Sequence, residues 1–247
     1  MRHLLAAELL KLTTLRSTWV YLISTIALAA IFAAGGIGGV GDEDRREDDY
    51  QLGLVLDSAF APSIFALLLG MLLVTNEFRH GTIERTLLVT PRRNRMLAVK
   101  LMTGAAVGFL LMLVALVVTA AIAAVWLGIL DVPLELDDVA RAAGRALVGL
   151  TLAGLLGAAV GGAVHSQVGV LVGALVWLFV AEPLIWVLLG VLDLDGIAEY
   201  LPAAWFYGIS DSGEERRAFL LFLAVGLAYV ALATALAVLR TNRRDIT

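Results

Sequence analysis

Six apolar stretches, each long enough to cross a bilayer core, leave this chain few ways to fold. They run over about 19–40, 53–74, 96–130, 145–164, 168–192 and 218–239. About 20 apolar residues rising 1.5 Å each cross a hydrocarbon core of about 30 Å. In hydrocarbon the backbone must bond to itself, so such stretches form helices. The expected fold is an all-α integral membrane protein, one transmembrane domain over 1–247 with six transmembrane helices. A hydrophobic share of 60% agrees, because soluble domains hold about 45–50%. The absence of cysteine excludes disulfides and thiolate metal sites.

The polar connections are sorted by charge, and this sets orientation. Arg79, Arg85, Arg92, Arg93, Arg95 and Lys100 crowd the connection between spans two and three. With both ends of the chain, the segments on that side carry twelve Lys and Arg, against six in the loops opposite. The positive side faces the cytoplasm, so both termini are expected there. Two lysines against sixteen arginines, with heavy use of Ala, Gly, Val and Leu, suggest a bacterial source. The expected location is therefore a bacterial inner membrane. The outer loop 42–49, DEDRREDD, lacks the glycine and ligand spacing of a calcium loop and reads as solvated.

Residues 1–18 place leucines 4, 5, 9, 12 and 15 on one arc that Glu8 interrupts. They read either as an interfacial helix, with Glu8 and Lys11 paired at i,i+3, or as a charged lead-in to the first span. Eighteen residues with an internal Glu make a poor signal-peptide n-region. Pro62 predicts a kink in span two. Span three, at 35 residues and about 50 Å, exceeds what a bilayer needs, so its first turns project inward and carry Lys100 toward the headgroups. In span four Ala153, Gly157 and Gly161 recur every four residues, a spacing for close helix packing inside the bundle or across a dimer. Span five meets Glu182-Pro183 after 14 residues, about 21 Å, which predicts a break. Beyond it, 184–192 and 201–209, with Pro202 and Trp205, read as re-entrant outer helices between spans five and six. Glu182 either lines an outer gate or substrate path, or is a structural carboxyl bonded to freed backbone N–H groups.

Within the coupling loop 76–95, Gly81 breaks the chain, Thr82 can cap, Glu84 suits a helix N-terminus and Pro91 halts further helix. The result is a short helix over 83–90 with Ile83, Leu87 and Leu88 toward one side, a small apolar surface framed by charge. Catalytic motifs are missing: no HExxH, no complete GxSxG and no GxxxxGK[ST]. Glu214-Glu215 lacks the arginine of membrane prenyl-proteases, Phe219 standing in its place. The chain is expected not to be an enzyme and to bind no cofactor or metal itself. A membrane scaffold, accessory protein or unrecognised membrane enzyme is the rival reading. A secondary transporter is disfavoured by the near absence of carboxylates within the spans.

Several of these residues together resemble the permease subunits of ABC exporters of the ABC-2 family. Glu8, Lys11 and Arg16 precede the first span; Glu77, Gly81, Thr82, Leu87, Pro91 and Asn94-Arg95 match the family's loop pattern; Leu201-Pro202 precedes Trp205-Phe206. The Asn94-Arg95 spacing departs slightly from the usual motif. The resemblance implies a permease that pairs with a second permease copy or homologue and with two cytosolic ATPase subunits, which hold ATP and Mg. It implies that Glu77, Gly81, Thr82, Ile83, Glu84, Arg85, Leu87, Leu88 and Pro91 form a coupling helix docked on the ATPase. It also places Glu182, Pro183, Pro202 and Trp205 at an outer gate. Membrane lipid is a further partner, and nucleic acid is not.

Overall fold

The structure, a computed structural model, describes residues 2–14, 16–41, 50–79, 93–133, 136–164, 166–210 and 216–243. Its described residues are helical with short turns. In chain order come α1 (Arg2–Thr14), α2 (Arg16–Gly38), α3 (Tyr50–Arg79), α4 (Arg93–Ile129), α5 (Leu136–Val164) and α6 (Gln167–Val176). A π-helical turn (Trp177–Ala181) leads into α7 (Glu182–Val191), after which come α8 (Asp195–Ala198), α9 (Ala204–Ser210) and α10 (Arg216–Arg243). Among the described residues, six helices are long and apolar enough to cross a membrane, counting α6 through α7 as one. The expected coupling helix, with Gly81, Thr82, Ile83, Glu84, Arg85, Leu87, Leu88 and Pro91, lies outside the described residues.

Helices α3 and α5 form the centre, and glycines bring them together. A Cβ on Gly157 would collide with the Leu67 carbonyl, and one on Gly161 would come within 2.7 Å of the Met71 carbonyl. The four-residue spacing thus serves packing within the bundle. Gly154, outside that spacing, faces Gly104 and Gly108 of α4 so closely that neither side has room for a side chain. One cluster of the core joins Met112, Leu150, Trp205, Phe206, Ile209 and Phe222, which ties α9 and α10 to α4 and α5. The helix from Gln167 to Val191 stands at the edge, with 11% of its most apolar stretch buried against 72% for α3.

Several helix ends use local chemistry. Ser166 caps α6, its Oγ accepting from the Gly169 N–H at 3.2 Å. Asp131 and Asp193 take left-handed φ values of 52° and 56° just past the ends of α4 and α7. The Val132 and Leu194 N–H groups then reach back to the Leu127 and Leu189 carbonyls, at 3.0 and 2.9 Å. Asp137 and Asp138 sit in the first turn of α5, where the helix dipole favours them.

The break expected at Glu182-Pro183 takes another form. The helix continues through it, and Glu182 keeps right-handed values of φ −65° and ψ −45°. The π turn accommodates the proline: the Glu182 N–H bonds to the Trp177 carbonyl five residues back, and the wider turn absorbs the N–H that Pro183 lacks. Residues 184–191 therefore extend span five instead of turning back, and the separate short helices are α8 and α9.

Candidate functional site

Where α1, α3 and α4 meet, four charged side chains close into one cluster. Lys11 Nζ donates to Glu8 Oε1 and to Glu77 Oε1, each at 2.7 Å. Lys100 Nζ lies 2.7 Å from Glu77 Oε1 and 3.7 Å from Glu8 Oε2. It also donates to the Leu73 carbonyl at 3.3 Å. The Lys100 side chain is 1% exposed, and both glutamates are 8% exposed. Two carboxylates and two ammoniums cancel, which makes the burial tolerable, since an isolated charge here would cost several kcal/mol.

The sequence positions these groups simply. Glu8 and Lys11 are one turn apart on α1. Glu77 closes the last turns of α3, and Lys100 lies two turns into α4, so both flank segment 80–92. Leu12, beside Lys11, packs into the core with Leu69, Leu72 and Leu73 of α3. The Trp19 indole donates to the Thr13 carbonyl at 2.9 Å, holding α1 against α2. Glu8, which spoiled the apolar arc, is buried because it serves this cluster. Desolvation lowers the Lys11 pKa, but hydrogen bonds and attraction from Glu77 and Glu8 outweigh it and hold the pKa above its ordinary value. The Lys11 contribution to this attachment is therefore complete at neutral pH and is lost as pH rises through that raised value.

Of the residues proposed for coupling, only Glu77 lies among those described, and its Oε2 has no partner among them. Lys100 is the member that sequence reasoning misplaced: it points into the protein, not toward headgroups. One signal was present, because the chain's only two lysines are Lys11 and Lys100.

The opposite end of the bundle has its own polar anchor. Glu182, 3% exposed, accepts from Trp177 Nε1 at 2.7 Å through Oε2. Its Oε1 accepts from the Ala203 and Ala204 N–H groups at 2.6 and 3.0 Å. These groups open α9, so Glu182 caps that helix across the fold rather than binding the backbone near Pro183. Tyr229 Oη donates to the Tyr200 carbonyl at 2.8 Å and holds the same segment to α10. Pro202 and Trp205 sit beside it on an apolar groove of about 570 Å³ between α3, α5, α6, α9 and α10.

A four-charge cluster and a polar anchor at opposite ends of six membrane-length helices, with a cationic segment between α3 and α4, fit a membrane transport subunit. A family profile described as ABC-2 family transporter protein matches residues 4–194. This chain belongs to the ABC-2 transporter family. It is a multi-pass membrane permease of that type, and the match takes in the charged cluster, segment 80–92 and the first five spans. No curated protein matches the chain.

Proposed function

We propose that this permease is the membrane half of an ATP-driven exporter, powered by two separate ATPase subunits that bind ATP and Mg. It works as a homodimer or with a homologous permease in a bacterial inner membrane, both termini cytoplasmic. Segment 80–92 docks on the ATPase, with Ile83, Leu87 and Leu88 giving apolar area and Glu84 and Arg85 selecting the partner. The observation that carries this reading is the four-charge cluster, because it binds both helices that flank the segment to α1. A pull on the segment then moves α1, α3 and α4 together instead of unravelling α3 or α4. Helix α1 serves as the interfacial helix that frames the docking site. At the outer end, Glu182, Pro183, Pro202 and Trp205 form the gate, held shut in this conformation by the three hydrogen bonds to Glu182.

Leu87→Asp tests the docking. In the assembled complex, reconstituted with its ATPase, the charge should abolish ATPase co-purification or uncouple hydrolysis from transport. Normal assembly with unaltered coupling would overturn the proposal.

A further inference from the structure

The apolar groove has two arginines beside one of its ends. From Ala153 to Val164 it runs along about 16 Å of α5. Leu67 and Met71 of α3, Gly173 and Trp177 of the fifth span, and Leu236 of α10 complete the walls. Its end at the α5–α6 corner, lined by Val164 and Gly169, is the mouth that two arginines flank. Arg240, one turn beyond Leu236, donates through Nη1 to the Ala163 carbonyl at 2.8 Å. Arg79, two turns beyond Met71, donates through Nη1 to Gln167 Oε1 at 3.1 Å. Both residues are exposed, and neither pairs with a carboxylate among the described residues. Each guanidinium keeps further donors for an anion.

We propose that the groove holds an acyl chain of a phospholipid whose anionic headgroup is bound by Arg79 and Arg240. The apolar length accounts for a tail, and the arginine pair at its mouth accounts for a phosphate, which guanidinium groups bind well. A second copy of this chain matches the mouth poorly. It would bring the same excess of cations to this side, twelve Lys and Arg, against the arginine pair. A free phosphate would leave the apolar walls uncovered. The site requires only that the chain spans a membrane, not that segment 80–92 meets an ATPase.

Native mass spectrometry of the delipidated full-length chain, titrated with phosphatidylglycerol or phosphatidylcholine, tests this. Phosphatidylglycerol should be retained in preference. Arg79→Gln and Arg240→Gln should each weaken that retention about fivefold, while Arg240→Lys keeps most of it. A Cβ at Gly173 meets nothing within 4 Å, so Gly173→Phe fills the groove without straining the backbone and should displace the lipid. Equal retention of the two lipids, or arginine variants that bind like the parent, would overturn the proposal. So would a Gly173→Phe chain that loses dimer mass but keeps its lipid, which would assign the groove to a second copy.

Discussion

Lys100 is the residue on which the four-charge cluster turns. Its ammonium is buried, close to two carboxylates and a carbonyl, so replacing it leaves Glu77 and Glu8 sharing Lys11 alone. Lys100→Met should destabilise the purified chain by about 3–5 kcal/mol, the usual cost of removing one partner from a buried pair. Glu77→Gln combined with Lys100→Met removes one charge of each sign and leaves Glu8 paired with Lys11. The double variant should lose clearly less than the sum of the single ones. Denaturation in mixed micelles across the full cycle checks this, and strict additivity would show that the four groups do not act as a unit. Glu182 differs in kind, since its partners are an indole and two amides rather than charges. Its burial is offset by those three donors alone, with no counter-charge among the described residues to neutralise it.

At the scale of the helix, small residues decide which spans touch. Gly154 of α5 lies so near the backbone of Gly104 and Gly108 that Gly154→Leu must push α4 and α5 apart. The expected result is loss of the folded, monodisperse chain from detergent extracts. Gly128→Leu, where a Cβ meets nothing within 4 Å, should extract like the parent; equal behaviour of both would remove the close-approach argument. The six spans and the packing stripe at Gly157 and Gly161 were legible because hydropathy and four-residue spacing are local patterns. Gly154 was not, since its partners lie on a different helix and off that spacing. The fifth span misled for a related reason: Pro183 normally breaks a helix after Glu182, and the π turn that avoids the break has no sequence signature of its own. Glu8 and Lys11 could be paired from their spacing, whereas Glu77 and Lys100 are 23 positions apart and meet only because α3 and α4 pack.

For the whole molecule, orientation is the property that determines partner and mechanism. ATP is cytosolic, so an ATPase can reach segment 80–92 only if that end of the bundle faces inward. Six crossings put Arg95 at the same end as α1 and the last turns of α10, and Glu199 at the other. Because the chain has no cysteine, a single introduced thiol reports its own side without background. Both residues are exposed, so accessibility within the protein should not limit labelling. In intact cells a membrane-impermeant maleimide should label Glu199→Cys readily, and Arg95→Cys only after permeabilisation. The reverse pattern would put the cationic end outside, against the excess of twelve cations over six. It would also separate segment 80–92 from any nucleotide and leave the four-charge cluster as a structural joint with nothing to transmit.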